Sequence, residues 1–219
     1  MKVTIIGGHG RIALLTATLL SQRGDSVNSI IRNPDHAADV AATGASAVVL
    51  DVENATATEM AEAFAGSEAI VWSAGAGGGN PDRTYAVDRD AAIRSMNAAQ
   101  LAEIKRFVMV SFASASTEYL VPLDDPFYPY MAAKIAADDH LRSSDLDYTI
   151  LGPGALTLEE ATGLINGDPD LAADTSTSRA NTALAIVAAL DSAASIGRTI
   201  NFVDGQTPIA TIMGASSQL

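Results

Sequence analysis

Cysteine is absent from this chain, and with it go disulfides, thiolate chemistry and cysteine-ligated metal sites. Basic residues are few: 13 Lys and Arg face 26 Asp and Glu, for a net charge of −13. That sign opposes a phosphate backbone, so nucleic acid is not an expected partner. Long apolar runs are missing as well. None approaches the length that crosses a bilayer, and no membrane partner is expected. Histidine is limited to His9, His36 and His140, which share no ligand spacing, so no metal site is expected. The first residues read as a strand, not as a basic segment followed by an apolar core, and no secretory signal is expected. A soluble cytoplasmic protein is the default reading.

What the chain does have is apolar residue, 48% of 219 positions, enough for a sizeable core in one α/β domain. Its organising stretch is Lys2 to Ala13. Val3, Ile5 and Ile6 form a short, β-branched apolar run that reads as a buried strand. Gly7, Gly8 and Gly10 follow, and Ile12 to Leu20 then has helical periodicity. Strand, glycine turn and helix start are the first half of a βαβ unit. There the glycines permit a tight reversal and close approach to a pyrophosphate, which the helix N-terminus attracts. The spacing Gly7-x-x-Gly10-x-x-Ala13 is not the strict dinucleotide fingerprint, so its strand–turn–helix context carries the reading.

Alternation continues along the chain. Helices over about 11–23, 34–44 and 56–65 each stop at a glycine (Gly24, Gly44, Gly66), as helix C-termini favour. Strands are expected at Val27–Ile31, Ala47–Leu50, Ala69–Trp72, Phe107–Ser111 and Tyr148–Leu151. A glycine-rich loop covers Ser73–Gly79, helices cover 84–102 and 130–142, and Ser114–Pro129 is irregular. After Pro153 the pattern loosens. Residues 157–174 show no period, 179–190 reads as a helix and 199–203 as a last strand. The expected fold is a Rossmann-like, doubly wound parallel sheet with helices on both faces. Residues 1–219 form a single domain, in which 154–219 make a small C-terminal substrate lobe that is not independent.

In such a sheet the ligand lies beyond the carboxyl ends of the strands, beside the first. The loops concerned are 7–12, 32–36, 51–54, 73–82, 111–129 and 152–158. Candidate cofactor contacts there are Gly7, Gly10, Arg11 and Ile12 in the first turn, and Arg32 after the second strand. Asp51, Val52, Ala74, Gly75 and Pro153 stand in the later loops. Arg32, with Arg11 nearby and no acid at the strand end, favours NADP over NAD, because a guanidinium suits a 2′-phosphate; the alternative is a solvated turn residue. Asp51 either meets the adenine edge or caps a turn. Tyr130 and Lys134 stand at i and i+4 on one helix face, where a nearby ammonium lowers a phenol's pKa and fits it for proton transfer. Ser111 is the natural hydroxyl for a substrate carbonyl, and Asp138 and Asp139 read as a solvated helix face.

These residues, with the Arg32-Asn33-Pro34 and Leu151-Gly152-Pro153-Gly154 turns, resemble the atypical short-chain dehydrogenase/reductases. The chain is most similar to small bacterial NAD(P)H-binding proteins often labelled sugar epimerases, themselves similar to flavin/biliverdin reductases and NmrA-like regulators. The resemblance runs on to Ser178-Arg179-Ala180-Asn181 and Gly205–Ile209. It implies NADP(H) binding, with Ser111, Tyr130 and Lys134 in the family's Ser-Tyr-Lys roles and with Ser111 and Lys134 also meeting the cofactor. Gly152 stands where such proteins often have arginine, and Asn181 where they often have aspartate; both are read as facing the substrate. Ser111 precedes Tyr130 by 19 positions, more than in many such dehydrogenases. The functional expectation is an NADP-dependent oxidoreductase acting on a small carbonyl or quinone-like compound. The alternatives are a non-catalytic NADP(H) sensor and a nucleotide-sugar epimerase. The sequence assigns no oligomeric state.

Overall fold

The computed structural model describes residues 1–77, 80–167 and 176–214. Strand β1, Lys2–Ile6, is the centre of the molecule. Its side chains alternate: Val3 and Ile5 enter one core, Ile6 the other, and all three have no exposed surface. A strand buried on both faces needs an apolar run rather than alternation with polar residues, which is what this segment has.

Around it stand β2 (Ser26–Ile31), β3 (Ser46–Val49), β4 (Ala69–Trp72), β5 (Arg106–Val110) and β6 (Asp147–Pro153), in the parallel order β3-β2-β1-β4-β5-β6. Helices α1 (Arg11–Gln22) and α2 (Ala37–Ala42) pack on one face. Helix α3 (Ala57–Ala63) packs on the other. A continuous helical rod joins β4 to β5: α4 (Pro81–Thr84), a π-helical turn Tyr85–Ala91, and α5 (Ala92–Leu101). Helix α6, Tyr128–Arg142, connects β5 to β6. The chain leaves β1 toward β2 and β3, then returns to β4, so a crevice opens between the loops that follow β1 and β4.

The C-terminal part departs from the expected pattern. Segment 157–174, read as aperiodic, holds β8 (Leu164–Gly167); two short strands, β7 (Ala155–Thr157) and β9 (Ser176–Ser178), pair in a small separate sheet. β8 was illegible because four residues show too little alternation to separate a strand from a loop. Helix α7 (Arg179–Asp191) packs beside α1. Strand β10 (Arg198–Asp204) then joins β6 in parallel, with β8 antiparallel on its outer edge. Strand β11 (Thr207–Pro208) pairs with β8 and leads into α8 (Ile209–Ile212). Gly78 and Gly79 of the glycine-rich loop, 168–174 of the aperiodic stretch and 215–219 of the tail lie outside the described residues. No helix among those described is long and apolar enough to cross a membrane.

Candidate functional site

The crevice has two ends. The first, a cavity of about 290 Å³, lies over β1–β3 and is bordered by Gly7, Arg32, His36, Asp51, Val52 and Ala74, among others. Gly7 holds it shut at the base. Its φ is +82°, and a Cβ there would lie 2.6 Å from the Ala74 Cα of the loop after β4. Gly10 is the N-cap of α1 and donates no side-chain cap, and the helix's first turn carries no acidic residue. Its leading N–H groups are therefore available to an anion. This cradle fits the pyrophosphate of a dinucleotide.

Arg32 follows β2 with its side chain 58% exposed, and its Nη1 lies 3.4 Å from Glu53 Oε2. Arg83 Nε reaches the same carboxylate oxygen at 3.2 Å. Arg11 is exposed on the first turn of α1, outside the lining of both cavities. Of the two readings of Asp51, the structure supports the turn: its carboxylate accepts from Glu53 N at 3.2 Å and Asn54 Nδ2 at 2.7 Å. It still borders the cavity. Sequence reasoning missed Arg94, whose guanidinium donates to the carbonyls of Val52, Glu53 and Ala55 and so holds this loop from α5. His36 stacks on His9 with centroids 3.6 Å apart and borders the cavity. His9 also reaches Asp39, at 2.8 Å.

The second end, a cavity of about 700 Å³ over β4 and β5, is bordered by Ile12, Gly75, Asp88, Ser111, Tyr130 and Lys134, among others. Three elements bring these together. Ser111 follows the last residue of β5, Tyr130 and Lys134 project from α6, and Asp88 comes from the π-helical turn. That turn shifts the helical phase by one residue, as such insertions do at functional sites, and turns a carboxylate inward. Asp88 Oδ2 accepts from Ala76 N at 3.0 Å and anchors the loop after β4.

Lys134 is 2% exposed, and its Nζ donates to Val110 O at 2.7 Å. Burial lowers its pKa, against the opposing pull of the Asp138 and Asp88 carboxylates. Both carboxyls are themselves raised by burial, with Lys134 the largest opposing influence on each. The Tyr130 phenol corrects the sequence expectation: burial pushes its pKa up, and the Asp88 and Asp138 carboxylates push it further. Its ring packs against Phe112 and Phe127, at centroid distances of 5.3 and 5.1 Å, in a three-ring cluster. Asp138 corrects a second expectation. It is not solvated but fully buried, and it accepts the Ser111 hydroxyl at 2.5 Å. A periodicity count would have found it, because i+4 from Lys134 and i+8 from Tyr130 share one helix face.

Pro153 closes β6, where its carbonyl accepts from Ala113 N at 3.0 Å. The two departures from the family pattern have local causes. A Cβ on Gly152 would lie 2.2 Å from Asn201 Oδ1, so the β10 side chain occupies the space beside that glycine. Asn181 does not face the crevice as expected. It is fully buried, donating from Nδ2 to Asp204 at 2.7 Å and Thr162 at 3.0 Å while its Oδ1 accepts from Gly163 N.

A dinucleotide cradle at a topological switch point, continuous with a cavity of convergent polar groups, defines a nicotinamide-nucleotide-binding Rossmann protein. The chain matches the model of the NAD(P)H-binding family over residues 7–193 and belongs to that family. It is 36% identical over 212 residues to a Bacillus subtilis protein named uncharacterized sugar epimerase YhfK, covering 96% of this chain and 97% of that protein. A solved Bacillus halodurans structure, assigned as an NAD-dependent epimerase/dehydratase, superposes with a TM-score of 0.89 at 33% identity, covering 98% of this chain and 99% of that one. The oxidoreductase ylbE from Lactococcus lactis superposes at 0.85 with 31% identity, covering 100% and 98%.

Proposed function

We propose that this protein is an NADP(H)-dependent oxidoreductase that reduces a small, uncharged carbonyl or quinone-like compound. The observation that carries the reading is the meeting of Ser111, Tyr130 and Lys134 in one cavity beside the dinucleotide cradle. The bound nicotinamide would supply a hydride. The uncapped N-terminus of α1 would hold the pyrophosphate, and Arg32 the ribose 2′-phosphate, a charge-assisted contact. Gly75, Lys134 and Ser111 would border the nicotinamide half.

The phenol of Tyr130 stays protonated at neutral pH and serves as a hydrogen-bond donor to the substrate oxygen. The rings of Phe127 and Tyr130, which line the cavity, favour a flat substrate, since aromatic side chains stack on planar groups. The epimerase reading, suggested by the name of the Bacillus subtilis relative, is less well supported. The one cation among the described lining residues is Lys134, already committed to Val110 O and flanked by Asp88. That charge balance disfavours the diphosphate of a nucleotide sugar.

Thermal stabilisation by NADPH against NADH tests the cofactor, because ligand binding to the native state raises its melting temperature by mass action. A panel of aldehydes, ketones and quinones, followed by the loss of nicotinamide absorbance, tests the reaction. No turnover of any of them, with NADPH bound, would leave the non-catalytic sensor as the better reading.

A further inference from the structure

Asp138 has no role in the reading above, yet its setting is costly for a carboxyl. It is fully buried behind Ser111. One carboxyl oxygen meets the Ser111 hydroxyl at 2.5 Å, and the other has no hydrogen-bond partner among the described residues. Such an oxygen is costly if ionised and tolerable if the group is a neutral acid. The groups facing it from its own helix are Tyr130, Lys134, Asp139 and Arg142. Ser111 faces it from the end of β5, and Asp88, on the π-helical turn, shares the attraction of Lys134. Two buried carboxyls thus stand against one buried ammonium.

We propose that Asp138 is the proton reservoir behind Ser111, discharged when positive charge arrives in the adjoining cavity. The inference rests on the reading of that cavity as the nicotinamide end. In the reducing direction the carbonyl carbon takes a hydride from the reduced nicotinamide. With the Ser111 hydroxyl turned from Asp138 to the substrate oxygen, its proton passes there as the Asp138 carboxylic proton passes to Ser111 Oγ. The product is an alcohol, the nicotinamide is left oxidised and cationic, and Asp138 is left a carboxylate that balances that charge. Asp138 regains its proton through the same hydroxyl once the oxidised cofactor leaves. Asp138 acts through Ser111 and is a positioning residue, whereas Ser111 touches substrate.

The test needs no substrate. Calorimetric titration of NADP⁺ and of NADPH, each in two buffers of different ionisation enthalpy, counts the protons exchanged on binding. The two cofactors share their phosphates, so protons exchanged at the nucleotide end cancel in the difference. Near neutral pH, NADP⁺ binding releases more protons than NADPH binding, and NADP⁺ affinity rises with pH more steeply. Asp138→Asn abolishes the difference, whereas Asp88→Asn preserves it. Equal proton release for the two cofactors in the unaltered chain overturns the proposal, whatever the variants do. Loss of the difference in Asp88→Asn alone overturns it in favour of that carboxyl. If neither cofactor binds, the dinucleotide reading fails and takes this one with it. Once a substrate is known, turnover should fall as pH rises through the Asp138 titration, and Asp138→Asn should lower and flatten that profile by about 10²–10⁴-fold at its acid end. An unchanged profile in this variant counts against the reservoir.

Discussion

The two ends of the crevice hold similar charges in opposite settings. At the nucleotide end, Glu53 lies between Arg32 and Arg83 with side chains 24–58% exposed. At the other, Lys134 feels the Asp88 and Asp138 carboxylates without a direct ion pair to either, and none of the three is more than 3% exposed. Exposed ion pairs contribute about 0–1 kcal/mol, because water and salt screen them. Buried charges are screened far less and have lost their hydration, so each depends on its partners. The first cluster can therefore exchange partners cheaply when a phosphate arrives. The second cannot rearrange without moving a proton. Binding and proton chemistry are thus divided between two groups of ions that look alike on paper.

Lys134→Met should break this contrast with the largest effect. It leaves two buried carboxyls without their cation, which costs about 3–5 kcal/mol of stability, readable by calorimetry. Burial already holds both carboxyls above their ordinary pKa, so at these two groups the folded state binds more protons than the unfolded one above about pH 4. Stability should then decline as pH rises from there toward the folded values, more steeply in the variant. A loss that is independent of pH would mean that Lys134 serves as packing alone.

Ser111→Ala should come next. It removes the hydroxyl between Asp138 and the cavity, and turnover should fall by about 10²–10⁴-fold while NADPH affinity changes little. Tyr130→Phe should cost less, at most about 10²–10³-fold, because it removes one donor to the substrate oxygen and no proton carrier. The reverse order would make the phenol the acid.

How much of this was legible in the sequence differs between the two ends. Strand β4 was read at its observed bounds, Ala69–Trp72, because a buried parallel strand is a continuous apolar run between turn signals. The glycine turn, Arg32 and the Tyr130/Lys134 pair were legible for the same reason: each is a local pattern. What escaped depends on contacts distant in the chain. Periodicity puts Asp138 on the helix face of Tyr130 and Lys134, but its meeting with Ser111, 27 positions earlier, is made only by β5. Glu53 lies 21 positions from Arg32 and 30 from Arg83, and nothing in its neighbourhood signals that meeting. The π-helical turn at Tyr85–Ala91 escaped because one extra residue in a helical turn leaves the apolar periodicity nearly intact. Asp88 lies buried within that turn.

Arg32→Glu should sharpen the comparison at the exposed end. A charge-assisted contact to the 2′-phosphate is worth about 1.5–3 kcal/mol, roughly ten- to a hundredfold in affinity. The substitution should erase the preference for NADPH over NADH by that factor without lowering the melting temperature of the free protein. A preference that survives would place phosphate recognition elsewhere, with Arg83 the next candidate.

The smallest expected effect has the opposite sign. Glu53 accepts from Arg32 and Arg83 in the free protein, so a 2′-phosphate must draw Arg32 away from a carboxylate and then lie near that carboxylate's charge. Glu53→Gln keeps the shape and a hydrogen-bond acceptor while removing the charge. NADPH affinity should rise, and by no more than about fivefold, since a part-exposed pair is worth at most about 1 kcal/mol. NADH, which lacks the phosphate, should be indifferent to the change. The gain should also shrink as salt is raised to molar levels, because the competition is between screened charges. If Glu53→Gln instead weakens both cofactors alike, the carboxylate is holding the loop or meeting a ribose hydroxyl, and the exposed cluster is as fixed in its partners as the buried one.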